Sequence, residues 1–121
     1  MREDYLDGTE VGPGYCRAVK HGNTIFVSGT GGRDKEGNLA PDAETQARVT
    51  FQKIESALKH FGADMSNVVR LGIYVTDMAY AADVAKVQTE VFAEYTPTAT
   101  LVAVTGLVAN MIVEVEAQAI I

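Results

Sequence analysis

The pattern of apolar and polar positions is most regular near the end of the chain, over residues 111–121. Alternate positions there form two sets, one of small or branched apolar residues and one mixed. The apolar set is Val113, Val115, Ala117, Ala119 and Ile121, and the mixed set is Ile112, Glu114, Glu116, Gln118 and Ile120. Because side chains alternate across a strand, we predict a strand with the first set in the core and the second set half buried.

Shorter runs with similar alternation predict further strands, and residues 1–12 are polar and rich in turn formers. The predicted strands span residues 15–20, 24–28, 68–76 and 100–104. The first two are close enough in sequence to form a hairpin. Residues 29–40 contain four glycines and are predicted to be a loop. In the strand at 68–76 the predicted core face consists of Val69, Leu71, Ile73 and Val75.

Two helices are predicted from apolar residues that recur at spacings of three and four. The first begins at Asp42, a residue suited to capping free N–H groups, and ends at Gly62. Its apolar stripe is Ala47, Phe51, Ile54, Leu58 and Phe61, and its polar side carries Gln52, Lys53, Glu55, Ser56 and Lys59. The second helix is predicted from Asp77 to about residue 95, with the apolar stripe Val84, Val87, Val91 and Tyr95.

The order of these elements predicts an α+β fold in one domain, over residues 1–121. Two helices cannot cover both faces of a sheet of this size, so the mixed face of the last strand needs another cover. A subunit interface would supply that cover. The pattern therefore predicts an oligomer.

Composition narrows the classes of partner and compartment. The net charge is −6, from 10 basic and 16 acidic residues, and the basic residues are dispersed along the chain. A nucleic-acid binder needs clustered lysines and arginines, so neither nucleic acid nor a membrane surface is expected as a partner. Cys16 is the one cysteine, which excludes an intrachain disulfide and a zinc ligand set. The polar N terminus and the lack of a long apolar run predict a cytoplasmic protein.

Several short phrases of the sequence, taken in order, resemble the RidA/YjgF family. They are Gly14-Tyr15-Cys16-Arg17-Ala18-Val19, Ile25-Phe26-Val27-Ser28-Gly29-Thr30, Gln46-Ala47-Arg48, Asn67-Val68-Val69-Arg70, Tyr74-Val75-Thr76-Asp77-Met78, Leu101-Val102-Ala103-Val104 and Val113-Glu114-Val115-Glu116-Ala117. No single phrase is diagnostic, but their order and spacing extend the resemblance from about residue 12 to residue 121.

The resemblance implies a chorismate-mutase-like α+β fold, with a mixed sheet packed against two helices. It also implies a homotrimer in which the three sheets face inward and small-molecule clefts lie between neighbouring subunits. The best-known members of the family hydrolyse reactive enamines and imines released by pyridoxal-phosphate enzymes, giving 2-oxo acids and ammonia. No cofactor and no metal is implied.

Two expected polar positions are missing. Deaminating members of the family hold the substrate carboxylate with an arginine just after the proline that precedes the fourth family strand, and Ala99 occupies that position here. In some relatives the arginine stands just before the proline, where this chain has Thr96. An asparagine of the second helix is replaced by Ala85, and a cysteine of the fourth strand by Leu101. The resemblance therefore implies an altered substrate.

Other site residues are carried over from the resemblance. Glu114 matches the family glutamate that handles the catalytic water. Ser28 and Gly29 match the strand-end hydroxyl and backbone that line the cleft, and Tyr15 matches a cleft tyrosine. Thr100 offers a hydroxyl or a backbone amide to the same cleft.

Each of these residues also has a structural interpretation. Glu114 is either the general base or an interfacial carboxylate paired with Arg70 or Arg17, and only one of Glu114 and Glu116 is expected to serve in catalysis. Arg17 either replaces the missing arginine as an anion clamp or pairs with an acid such as Glu116. Ser28 either donates to a ligand or caps its own turn.

Three functions follow from these alternatives. The first is an enamine/imine deaminase acting through Glu114 and a water. The second is a non-catalytic binder that uses the intersubunit clefts for a small metabolite. The third, a ribonuclease or translation inhibitor, is the weakest because the chain is acidic and has no basic groove.

Overall fold

A six-stranded mixed sheet with two helices on one face forms the fold in the computed structural model, which describes residues 1–121. The strands are β1 (Arg2–Tyr5), β2 (Ala18–His21), β3 (Thr24–Gly31), β4 (Val68–Val75), β5 (Thr98–Ala103) and β6 (Val113–Ile120). The helices are α1 (Ala43–His60) and α2 (Ala81–Val91), and short 3-10 turns lie at Met65–Asn67, Met78–Tyr80 and Val108–Asn110. The sheet order is β1-β2-β3-β6-β4-β5, and its one parallel pair is β4–β5. The predicted α+β class is confirmed.

Strand β6 lies inside the sheet, antiparallel to both β3 and β4. As the alternation predicts, its apolar residues Val113, Val115, Ala117 and Ala119 are buried in the core beneath the helices. Ile121 lies beyond the end of the strand and is 49% exposed, so its predicted core position is wrong. Glu114 and Glu116 point to the opposite, partly exposed face. One strand thus separates a closed core from an open face.

The first helix agrees with its sequence signals. Asp42 caps α1 by accepting a hydrogen bond from the Thr45 N–H at 2.9 Å. Gly62 follows the helix with a φ of +80°, a conformation that glycine adopts without steric cost. The predicted apolar residues Ala47, Phe51, Ile54, Leu58 and Phe61 are all buried.

The N-terminal segment contains a strand that the sequence pattern does not predict. Strand β1 pairs antiparallel with β2, within a region expected to form only polar turns. Its anchor is Tyr5, whose ring stacks on His60 with centroids 4.4 Å apart and meets Phe61 edge-on. The other three residues of β1 are exposed, so no apolar alternation marks this strand in the sequence.

Several predicted strand ends move in the structure. Strand β2 begins at Ala18 rather than at residue 15, and β5 begins at Thr98 rather than at residue 100. Strand β3 continues to Gly31, so the predicted loop over residues 29–40 is shorter. An irregularity between Val27 and Thr30 shifts the pairing of β3 with β6. This bulge lies beside the candidate site described below.

Two apolar residues were assigned to the wrong environment by their spacing. Pairing of β4 with β6 shifts between Val68 and Arg70, which leaves Val69 42% exposed and buries Val68 instead. Tyr95 lies beyond the end of α2 and is 60% exposed. Asp77 caps the 3-10 turn before α2 rather than the helix itself, so α2 is shorter at both ends than predicted.

The face of the sheet opposite the helices has no cover within the chain. Phe26, Val102 and Ile120 are between 42% and 49% exposed there. Apolar side chains grouped on an exposed face are typical of an association surface. The oligomer predicted from the sequence would cover them, and it stays a prediction. Neither helix is long and apolar enough to cross a membrane.

The buried side chain of Gln46 joins three parts of the fold. Its Nε2 donates to the Ala40 carbonyl at 2.7 Å, and its Oε1 accepts from the Ile112 N–H at 3.0 Å. Gly32, just after β3, lies against the backbone of the same residue, because a Cβ added at Gly32 would stand 2.7 Å from the Gln46 Cα. The end of β3, helix α1 and the approach to β6 are therefore packed at one point.

Replacing Gly32 with alanine is expected to destabilise the protein by about 1–3 kcal/mol, because backbone atoms cannot move aside as a flexible side chain would. Gly106→Ala is the matched control, since an added Cβ there meets nothing within 4 Å and no positive φ is involved. Urea unfolding at one protein concentration measures both. Equal stabilities for the two variants would contradict this packing.

Candidate functional site

A cavity of about 470 Å³ opens where the end of β3, helix α1 and the approach to β6 meet the N-terminal segment. Its volume lies within the usual range for small-molecule sites. The lining residues are Thr9, Val11, Gly12, Tyr15, Arg17, Ser28, Gly29, Gly31, Arg33, Lys53, Val108, Met111 and Glu114. Four of the sequence-predicted site residues besides Glu114 are thus brought together.

Arg17 forms the inner wall of this cavity and is only 2% exposed. Its Nε lies 3.3 Å from Asp7 and 3.9 Å from Glu10, which form an ion pair with it rather than an aligned hydrogen bond. Both acids are themselves nearly buried. Glu116, the acid suggested as a partner from the sequence, pairs with Arg70 instead.

The remaining donors of Arg17 bind the polypeptide. Nη1 donates to the Gly29 carbonyl at 2.9 Å and to the Thr30 hydroxyl at 3.1 Å, and Nη2 donates to the Thr9 hydroxyl at 3.3 Å. Most of the guanidinium is therefore engaged by the protein itself. Within this chain Arg17 is a brace between the N-terminal segment and β3 rather than an open anion clamp.

Asp7 is adapted to its role beside this arginine. Burial alone would raise its pKa, but hydrogen bonds from the backbone and hydroxyl of Thr9, together with the charge of Arg17, lower the pKa overall. The carboxylate consequently remains ionised in the folded protein at neutral pH. The charge of Arg17 is compensated at the back of the cavity.

Glu114 faces the cavity from β6, opposite Gly31 and Tyr74 in the sheet register. Its carboxyl group occupies the space above Gly29, where an added Cβ would overlap Oε1. No hydrogen bond or ion pair engages this half-buried carboxyl within the chain. Gly29 therefore makes room for an acid that is left free to act on a ligand.

The electrostatic surroundings of Glu114 favour proton exchange. Burial raises the pKa of its carboxyl group, the charge of Arg17 opposes this rise, and the charge of Glu116 adds to it. A carboxyl group with a raised pKa is a better acid and base partner near neutral pH than one at its ordinary value.

Glu116, two residues along the same strand, has a different environment. Its Oε1 lies 3.4 Å from Nη1 of Arg70 and accepts a hydrogen bond from the Tyr74 hydroxyl at 3.1 Å. It lies over Gly72, on the open face of the sheet, and does not line the cavity. Of the two acids between which the sequence leaves the choice open, Glu114 alone lines this cavity.

The other predicted site residues differ in position. The Tyr15 hydroxyl accepts a hydrogen bond from the Val11 N–H at 2.6 Å, and the Ser28 hydroxyl donates to the Cys16 carbonyl at 2.8 Å. Both residues line the cavity, with their hydroxyls used to hold local backbone. Thr100 does not line it, because it lies on β5, separated from β6 by β4.

Two cationic residues of the cavity, Arg33 and Lys53, were not predicted from the sequence as site residues. Lys53 was placed on the polar side of its helix, yet its Nζ reaches back to the carbonyls of Gly31 and Arg33, at 3.1 and 3.0 Å. Burial lowers the pKa of Lys53 to about 8, assisted by the charge of Arg17. The four glycines of the predicted loop, residues 29–40, were the one sign in the sequence that the loop lies close to another element.

No cluster of side chains suited to hold a metal ion is present.

The sequence is similar to known proteins over most of its length. Residues 9–121 match the model of the family described as Endoribonuclease L-PSP. A RutC family protein of Pyrococcus abyssi is 33% identical over 111 residues, covering 90% of this chain and 87% of that protein. A 2-iminobutanoate/2-iminopropanoate deaminase of Dermatophagoides farinae is 29% identical over 113 residues, covering 92% and 88%.

The fold is similar to that of solved structures over its whole length. The crystal structure of a YjgF/YER057c/UK114 family member from Mycobacterium tuberculosis superposes with a TM-score of 0.90 at 35% identity. The match covers 100% of each chain.

Replacing Arg17 with methionine is expected to destabilise the protein by about 3–5 kcal/mol, because two nearly buried carboxylates lose their counter-charge. Arg48→Met is the control: the Arg48 side chain is 39% exposed, and its pairs with Glu44 and Glu90 are screened by solvent and contribute little to stability. Urea unfolding compares the two. A similar small loss in both would contradict the bracing role of Arg17.

Replacing Glu114 with glutamine is expected to stabilise the protein at pH 7. A pKa raised by folding means that the folded state binds the proton more tightly, so ionisation weakens the folded state as the pH rises through that pKa. The advantage of the variant should disappear below the ordinary carboxyl pKa of 4.5. Thermal unfolding from pH 4 to pH 8 measures it, with Glu116→Gln as the control that gains nothing. A variant less stable than the wild type at pH 7 would show that Glu114 is a structural partner.

Proposed function

The chain belongs to the RidA/YjgF family, and we propose that it hydrolyses reactive enamines or imines to a carbonyl compound and ammonia. The observation that carries this proposal is the unpartnered carboxyl group of Glu114 in a cavity of ligand size. The relative named as a 2-iminobutanoate/2-iminopropanoate deaminase supports the class of reaction.

Hydrolysis of an imine needs one group that moves protons in both directions. An enamine first gains a proton on carbon and loses one from nitrogen, which converts it into the imine. The carboxylate of Glu114 then removes a proton from a water as its oxygen bonds to the imine carbon, and returns the proton to nitrogen. Glu114 then moves the hydroxyl proton of the resulting carbinolamine to nitrogen, and ammonia leaves as the C–N bond breaks and the C–O bond becomes a carbonyl. Imine and water are thereby converted into a carbonyl compound and ammonia, and Glu114 is regenerated.

The surroundings of Glu114 suit both proton transfers, the removal of a proton from water and its return to nitrogen. Burial favours its protonated form, which is needed to protonate nitrogen, while the charge of Arg17 keeps the ionised form accessible. Arg17 also holds the Gly29 carbonyl, and with it the strand end over which the carboxyl group lies. Arg17 is accordingly a positioning residue of this mechanism.

The substrate is proposed to differ from the small 2-imino acids of the best-known members. Ala99 and Thr96 occupy the positions where those members carry a carboxylate-binding arginine, and both are exposed in this chain. A charge-assisted hydrogen bond contributes about 1.5–3 kcal/mol, so a substrate that relied on that arginine would bind far less tightly here.

The assembly is proposed to be a homotrimer with its sheets facing inward. This arrangement would cover the exposed side chains of Phe26, Val102 and Ile120 on the open face. It would also bring Thr100 of one subunit towards a neighbour, which is the only way for that residue to reach a cleft. The proposed partners are thus a small molecule and further copies of the chain, and neither nucleic acid nor a membrane is proposed as a partner. The proposed compartment is the cytoplasm.

Glu114→Gln is expected to lower the rate of ammonia release by about 10²–10⁴-fold, the usual contribution of a positioned acid or base. The substrates are 2-aminoacrylate and 2-iminobutanoate, generated in situ by a threonine dehydratase, and the spontaneous rate is subtracted. Glu116→Gln is the matched control on the same face of β6, and it should retain activity because Glu116 lies outside the cavity.

Equal loss of activity in the two variants would contradict the role of Glu114. A wild-type protein that gives no acceleration over the spontaneous rate would overturn deamination of these substrates. Two interpretations would then remain, a deaminase of imines that lack the 2-carboxylate and a non-catalytic binder with the same cavity.

A further inference from the structure

The cavity is cationic although the whole chain is acidic. Arg17, Arg33 and Lys53 line it, and Glu114 is its only acidic lining residue. Asp7 and Glu10 compensate Arg17 from behind. Arg33 and Lys53 form no ion pair with any carboxylate of the chain, so two positive charges at the cavity have no direct acidic partner.

Arg33 has an unsatisfied donor at this site. It follows β3 and pairs with Leu39 through an isolated bridge, which places it at the edge of the cavity. Its Nε is buried and has no hydrogen-bond acceptor. A buried guanidinium N–H without a partner is costly, and an anion is the acceptor that offsets this cost best.

Lys53 lies next to this arginine and lines the same cavity as Glu114. Its ammonium group donates to the carbonyls of Arg33 and Gly31, and Gly31 is the residue that pairs with Glu114 in the sheet register. An ammonium group has three donors, so one remains for a ligand. The burial that lowers the pKa of Lys53 to about 8 also leaves its charge poorly solvated, a condition that an adjacent anion relieves.

We propose that Arg33 and Lys53 form an oxyanion-binding subsite that holds the carboxylate or phosphate of the ligand in the cavity that Glu114 also lines. The subsite takes the place of the arginine that is absent at residues 96 and 99. Calling the ligand a substrate rests on the deaminase function proposed above, whereas the binding of an oxyanion does not. The ligand class is a small molecule with one oxyanion close to the carbon that Glu114 acts on.

The test measures binding of 2-oxobutanoate, inorganic phosphate and uncharged butanone to the full chain at constant ionic strength, by titration calorimetry or NMR shifts. The wild type should bind at least one anion and not butanone. Arg33→Met and Lys53→Met should each weaken anion binding by about 10- to 150-fold, the range expected for one charge-assisted contact. Preference for 2-oxobutanoate would identify a carboxylate ligand, and preference for phosphate a phosphorylated one.

Lys35→Met is the matched control, because Lys35 is exposed on the same loop and does not line the cavity. Lys53→Gln keeps a donor for the two carbonyls, so it separates loss of charge from loss of folding, which thermal unfolding checks for every variant. Anion binding that is absent in the wild type, or equal in the Arg33, Lys53 and Lys35 variants, would overturn the subsite.

The ammonia assay on the same variants separates the two proposals. If Glu114→Gln abolishes turnover while Arg33→Met changes neither turnover nor anion affinity, the deaminase stands and the subsite fails. If no turnover is found but anion affinity still depends on Arg33, the subsite stands and the deaminase fails.

Discussion

The site depends on one buried charge, the guanidinium of Arg17. An arginine that is 2% exposed destabilises a fold unless acids and hydrogen-bond acceptors surround it. The N-terminal segment supplies Asp7, Glu10 and Thr9, and β3 supplies the Gly29 carbonyl. Segments distant in sequence therefore meet around one side chain, and the space that they leave in front of it is the cavity.

The reactivity of Glu114 follows from the same arrangement. Its carboxyl group lies in the space left by the missing side chain of Gly29, within the field of Arg17 but without contact to it. Burial and the Arg17 charge act on its pKa in opposite directions. Because Asp7 and Glu10 already compensate Arg17, that arginine moderates Glu114 without forming an ion pair that would block it. Glu116, two residues away, shows the alternative, since Arg70 and Tyr74 both contact its Oε1.

Sequence patterns predicted the elements whose environment is periodic and missed those held by single contacts. The alternation in β6 and the stripe of α1 predicted their buried faces, and Asp42 predicted a helix start. Strand β1 was missed because Tyr5 is its one partly buried residue, so no apolar alternation marks the strand. Resemblance to a family located Glu114, Ser28 and Gly29. It did not locate Lys53. The long side chain of this helix residue reaches the carbonyl of Arg33 in a loop, and the helix periodicity does not predict which loop lies nearby.

The missing arginine and the extra cations of this cavity have a common consequence. Residues 96 and 99 lie at the β5 edge of the sheet, and β4 separates this edge from β6, the strand of Glu114. A ligand bound at Glu114 would therefore have to extend across β4 to reach them within one chain. Arg33 and Lys53 instead line the same cavity as Glu114, within a single chain. If an anion is bound there, the open sheet face is free to form subunit contacts. That face would not also need to supply a basic residue to the site of a neighbouring subunit. Ligand recognition and assembly would then use separate surfaces, so substitutions on the β5 edge could alter one without altering the other.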